Sequence, residues 1–189
     1  IDISMLSWLN RGNRHQGVGV FNLKDFSDNS AIFILDLYGN VDSYNGSLFA
    51  QAKDINLSPW INEFTSLRSK LVSSKGNLEL WAKIQNGELS RIDGAVLPTT
   101  FEWLVEGSKV HNSIEARFGA EKKEDLWQFS INDLALETEG EIFKTNVNGY
   151  FDNKGEAVFT LANQQALKPL FSLSNLYSLS LSESLAKTN

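Results

Sequence analysis

Apolar and polar residues alternate with a period of two along most of the chain. That is the spacing of a half-buried β-strand. Leu78, Leu80, Ala82 and Ile84 point one way, while Glu79, Lys83 and Gln85 point the other and Trp81 breaks the pattern. Asn86-Gly87 follows at once, and a second run over 88–96 comes after it. Asn-Gly between two alternating runs predicts a hairpin, because a type I′ turn needs positive φ at both central positions. Asn45-Gly46 predicts a similar turn between strands at 32–41 and 47–53. Asn148-Gly149 and the Asn153-Lys154-Gly155 stretch punctuate the region 142–161. Further strands are expected at 17–23, 100–106, 112–119 and 126–132, about ten in all. Short connections favour an antiparallel meander.

Two short amphipathic helices are expected beside the strands. Ser58 can cap the first and Pro59 suits its first position; Trp60, Ile61, Phe64, Leu67 and Leu71 then recur at helical spacing. The second starts near Pro169, with Leu170, Phe171 and Leu173. The segment DINLSPWI at 54–61 is echoed by DISMLSWL at 2–9 and more loosely by QALKPLF at 165–171. These echoes suggest a weak repeat of strands followed by a short apolar helix, with units near 2–61 and 54–171. The fold class is therefore mostly β: a curved antiparallel sheet, forming a groove or an open sandwich-like layer, with one or two short helices. Residues 1–189 form a single β-rich segment. Ile1 in place of Met, and an end at Asn189 after a Ser/Leu-rich stretch, make it read as an internal piece of a longer protein.

Composition narrows the function more than it identifies it. Hydrophobic residues make up 42% of the chain, enough to bury a core. The net charge is −6, and the densest positive pair, Lys122-Lys123, stands between Glu121 and Glu124, so nucleic acid is not expected as a partner. No cysteine is present, which removes thiolate chemistry and disulfides. No apolar run approaches the roughly 20 residues of a membrane-spanning helix. His15 and His111, the only histidines, have no second ligand at metal spacing. No nucleophile elbow or phosphate loop occurs. Glu137, Glu139 and Glu141 read as a solvated strand face or turn. The expectation is a chain with no catalytic residues, no metal and no cofactor.

The unusual feature is apolar character on both faces of some strands. Ile32 and Ile34 oppose Phe33, Leu35 and Leu37, Phe101 and Trp103 share a face, and so do Trp127, Phe129 and Ile131. Either the sheet has an ordinary covered core, or one face stays apolar to hold a ligand.

Five stretches carry a family resemblance: SLFAQAKDINLSPW at 47–60, GNLELW at 76–81, NGELSRIDG at 86–94, AVFTLAN at 157–163 and LKPLF at 167–171. Together they resemble the YhdP branch of the AsmA-like proteins, over roughly 45–175. The resemblance implies a periplasmic protein tethered to the inner membrane by a helix outside this chain. It also implies a long β-groove with an apolar interior that moves phospholipid toward the outer membrane. Leu78, Leu80, Ala82, Ile84, Phe101, Trp103, Trp127, Phe129 and Ile131 are the expected lipid-binding, groove-lining residues. Two alternatives stand beside this. One is a closed-core module that binds a protein, or a second copy of itself, by an exposed sheet edge. The other is a glycan-binding domain using Trp8, Trp60 or Trp81.

Overall fold

The computed structural model describes residues 2–22, 30–40, 43–58, 70–105, 107–138, 140–152 and 157–162. They form ten strands. The first five are β1 (Asp2–Arg11), β2 (Arg14–Asn22), β3 (Ser30–Tyr38), β4 (Asn45–Ile55) and β5 (Lys70–Gln85). The rest are β6 (Glu88–Val105), β7 (Ser108–Lys123), β8 (Leu126–Thr138), β9 (Glu141–Asp152) and β10 (Ala157–Leu161). Each strand pairs antiparallel with the next, so the order in the sheet is the order in the sequence. Among the described residues β1 and β10 are the two outermost strands of one open sheet.

Asn86-Gly87 forms the expected turn, with φ of 53° and 79°. Gly12, Glu124, Gly107 and Gly140 supply positive φ at other strand junctions. The expected turn at Asn45-Gly46 is displaced, because both residues lie inside β4 and pair with Tyr38 and Leu37. Asn148-Gly149 likewise lies inside β9. The strands expected at 88–96 and 100–106 are one strand, β6, continuous through Pro98. A β-bulge there accommodates a residue without an amide proton.

Among the described residues only Ser58, the expected cap of the first helix, is helical, and no helix extends over them. Residues 59–69 and 169–173, where the two expected helices were placed, lie outside the described residues. Leu71, assigned to the first helix by its spacing, is a residue of β5 paired with Trp103 and only 1% exposed. Residues 2–9, which echo the helix-bearing segment, are strand β1.

The register divides side chains between two faces. One face carries ion pairs and is mainly polar over β6–β10, while Val18, Val20, Ile32, Ile34, Phe49 and Trp81 form an apolar patch on it over β2–β5. Arg14 grips Asp36 at 2.6 and 3.0 Å, Arg91 grips Asp93 at 2.6 and 2.8 Å, and Lys109 meets Glu102 at 2.8 Å. The other face is apolar. Its buried part holds Leu71, Trp103, Leu136 and Phe143, all 7% exposed or less.

Candidate functional site

Following the pairing from strand to strand yields one row that crosses the whole sheet. It runs Leu6, Gly19, Phe33, Ala50, Leu80, Gly94, Phe118, Ile131, Val147, Leu161. The row beside it, on the same face, runs Trp8, Gly17, Leu35, Leu48, Ala82, Ile92, Ala120, Phe129, Gly149, Phe159. Neither row contains a polar side chain. Nine steps of about 4.8 Å make each row roughly 43 Å long. Period-two alternation within each strand produces this surface, and in-register pairing makes it continuous. Charged side chains reach this face only at strand ends, with Lys122 near one rim and Glu141 near another.

All nine expected lining residues fall on this face, and they do not share one environment. Leu78, Leu80, Ala82 and Ile84 in β5 and Trp127, Phe129 and Ile131 in β8 lie on its open part, Leu78 being 41% exposed. Phe101 and Trp103 lie beyond a line of bulges. Trp103 is fully buried there, so it offers no surface to a ligand. Sequence reading missed Phe33, Leu35, Leu48, Ile92, Phe118, Val147, Phe151 and Phe159, which complete the face. The alternation Ala116-x-Phe118-x-Ala120 was a usable signal, although Arg117 within it and Glu121 after it gave it a polar look.

Aromatic rings fill the gaps left by the glycines of the rows. A Cβ built on Gly94 would lie 2.3 Å from the Phe118 ring, and one on Gly149 would lie 2.7 Å from the Phe129 ring. The rings therefore lie flat across the neighbouring strand. Trp127 stacks on Phe151 with ring centres 6.2 Å apart and planes 6° apart. The result is a smooth hydrocarbon floor.

A depression of about 540 Å³ is on the opposite face, between Arg91, Asp93, Gln128, Ser130, Asn148 and Thr160. A broad floor open to one side encloses no such volume. The apolar floor is therefore recognised by its surface chemistry. The ion-paired face shows no catalytic signature. Hydrogen bonding to Arg14 and Arg91 holds Asp36 and Asp93 below the usual carboxylate range. Lys122, Lys109 and Lys123 do the same for Glu88, Glu102 and Glu121. These groups are ionised partners in ion pairs, the opposite of the raised pKa a general acid requires. Among the described residues no group of three His, Asp or Glu side chains can hold a metal. His15 instead contacts Asn10 Oδ1 at 2.7 Å and the Gly39 carbonyl at 3.2 Å. Trp8 and Trp81 lie on opposite faces and make no common platform, and Trp60 lies outside the described residues.

The described residues thus form one open antiparallel sheet of ten strands with a continuous apolar face. The YhdP protein family model matches residues 1–189, and the chain belongs to that family. It is 27% identical over 142 residues to the intermembrane phospholipid transporter YhdP of Escherichia coli (strain K12). The match covers 73% of this chain and 11% of that relative, so the chain spans a small part of the relative's length. No solved structure matches it.

Proposed function

We propose that this chain is a non-catalytic stretch of a phospholipid conduit in the periplasm. Its apolar face shields acyl chains from water as lipid passes between inner and outer membranes. A segment outside this chain tethers the longer protein to the inner membrane. The observation that carries the reading is the pair of rows that cross ten strands without a polar side chain. The relative's role as an intermembrane phospholipid transporter supports it.

The energetics fit passage better than capture. Each methylene removed from water contributes about 0.8 kcal/mol. A long acyl chain gains on the order of 10 kcal/mol relative to water, and a bilayer offers a similar gain. A lipid on this floor is thus protected in transit without being trapped. Hydrocarbon recognises hydrocarbon here, so no covalent step and no cofactor is needed.

Native mass spectrometry of the purified chain, with organic extraction, tests the proposal. Phospholipid is expected at defined stoichiometry. Leu80→Asp and Phe129→Asp, which put a charge into the two rows, are expected to abolish it while circular dichroism still reports a folded sheet. A wild-type chain that carries no lipid and takes up no fluorescent phospholipid overturns the proposal. The buried packing around Trp103 would then extend over the whole face as a closed core, and the chain would be a structural or protein-binding module.

A further inference from the structure

Along one line in the middle of the sheet, β4, β6 and β8 each carry one residue more than their neighbours. β4 advances three residues from Ala52 to Ile55 while β5 advances two, between Leu78 and Gly76. β6 advances three from Val96 to Thr99 while β7 advances two, between Ala116 and Ile114. β8 advances three from Ile131 to Leu134 while β9 advances two, between Val147 and Thr145. The three bulges lie side by side, so a single line of them runs from β4 to β9. A bulge bends its strand and sharpens the local twist.

Two of the bulges are built alike. Asp54 in β4 and Asp133 in β8 take left-handed backbone, with φ of 51° and 53°. An asparagine on the adjacent strand holds each one. Asn77 Oδ1 accepts a hydrogen bond from the Asp54 amide at 3.1 Å, and Asn146 Oδ1 accepts one from the Asp133 amide at 2.9 Å. Asn77 also serves the third bulge, since its Nδ2 donates to the Pro98 carbonyl at 3.2 Å and its amide donates to Thr99 Oγ1 at 3.2 Å. Two asparagines thus clamp all three bulges.

The line also marks a change of environment on the apolar face. On one side Leu78 is 41% exposed and Phe151 38%. On the other, Leu71, Trp103, Thr99 and Phe143 are all 3% exposed or less. We infer that Asn77 and Asn146 are positioning residues for the lipid: by clamping the bulges they hold the bend that separates an open shelf from a buried end. A bound acyl chain then lies across the strands on the shelf and stops at the bend. This rests on the phospholipid reading above.

The test uses the chain with vesicles of phosphatidylethanolamine and phosphatidylglycerol containing a trace of phospholipid with a photoreactive acyl chain. Labelled residues are mapped by mass spectrometry, and amide exchange is followed separately. In the wild type the label is expected on Leu80, Phe118 and Phe129 and not on Phe101, Ile114 or Leu136. In N77A/N146A the Asp54 and Asp133 amides are expected to exchange on the order of tenfold faster. The label is then expected to spread to Phe101 and Ile114. Adding D54G and D133G, which lets glycine take positive φ without a clamp, is expected to restore the wild-type footprint.

A wild-type footprint that crosses the bulge line overturns the inference. So does a wild-type footprint retained in N77A/N146A, or unchanged exchange at Asp54 and Asp133. A wild type that takes no label anywhere overturns the phospholipid reading, and the lipid-positioning role falls with it. Faster exchange in that case marks the clamps as part of the sheet's architecture alone.

Discussion

At the scale of single residues, the apolar face depends on where side chains are missing. Phe118 and Phe129 lie flat because Gly94 and Gly149 leave room for them. The two sites differ in what a methyl group would meet. At Gly94 it meets only the Phe118 ring, which can turn aside. At Gly149 it lies 2.3 Å from the Val158 carbonyl oxygen as well as against Phe129, and the backbone cannot yield so easily. Gly149→Ala is expected to lower stability by about 1–3 kcal/mol in urea titration. It should also loosen β10, seen as lost protection of the Val158 and Thr160 amides. Gly94→Ala is expected to do less. The reverse order would mean that ring packing, rather than strand approach, dictates glycine here.

The ion pairs supply a pH dependence. Asp36, Glu88, Asp93, Glu102 and Glu121 are each held below their ordinary pKa by a basic partner. A carboxyl whose folded pKa is depressed stabilises the fold above its unfolded pKa, and that contribution is lost as pH falls through the folded value. Stability is therefore expected to be level near neutrality and to decline on acidification below the usual carboxylate range. Added salt is expected to weaken the dependence, because these pairs are solvent-exposed. Thermal melts across pH at two ionic strengths check both statements. A melt that is flat down to strong acid would show that the pairs add nothing.

At the scale of elements, one dipeptide does two different jobs. Asn86-Gly87 turns the chain, with both residues at positive φ. The turn is further fixed by hydrogen bonds from the Asn86 amide to Asn45 Oδ1 at 3.1 Å and from the Gly87 amide to the Tyr44 carbonyl at 2.8 Å. Asn148-Gly149 continues a strand, and its glycine answers a close approach. Asn86→Ala forces alanine into left-handed backbone and is expected to cost about 1–2 kcal/mol. Asn148→Ala, at an exposed strand position, is expected to change stability by less than about 0.5 kcal/mol. Equal effects in chemical denaturation would contradict the assignment of the two sites.

The same contrast explains which parts of the fold could be read in advance. Alternation over 78–85 and 126–132 placed β5 and β8 and the shared faces of their apolar residues, because period two is a local property. The turn at Asn86-Gly87 was legible because its backbone requirement is also local. Gly46 and Gly149 were misread because their reason lies on a neighbouring strand, at Asp36 and Val158. Leu71 was misread because Trp60, Ile61, Phe64 and Leu67 precede it at helical spacing, while its own partner is Trp103 in β6. The joining of 88–96 to 100–106 was hidden by Pro98, which reads as a break until the bulge that accommodates it is seen. The burial of Trp103 was not legible either, because what lies near that end of the face includes Leu57, which follows β4 and whose amide donates to Ser74 Oγ at 2.6 Å.

At the scale of the whole molecule, the apolar face runs to both edges of the sheet that the described residues form, and the β1 edge carries no charge within it. β1 has no charged residue between Asp2 and Arg11, and Leu6 and Trp8 on one face and Met5 and Leu9 on the other are 42–68% exposed. Natural edge strands usually carry lysine, proline or an inward charge to prevent pairing. A second β1 can pair with the first in antiparallel fashion about Ser7. That register sets Leu6 against Trp8 and Met5 against Leu9, so each face meets its own kind. The isolated chain is therefore expected to self-associate through β1 at micromolar concentrations, with a sedimentation coefficient that rises with concentration. Ser7→Lys places like charges opposite one another at the centre of that register, and Leu9→Lys adds a charge to the edge. The double variant is expected to sediment as a monomer with its sheet intact. If the wild type is itself monomeric at high concentration, β1 is protected in solution and the edge is closed by something other than a second copy. If the variant still associates, the contact lies elsewhere, and β10, where Val158 and Phe159 are 50% and 55% exposed, is the next edge to charge.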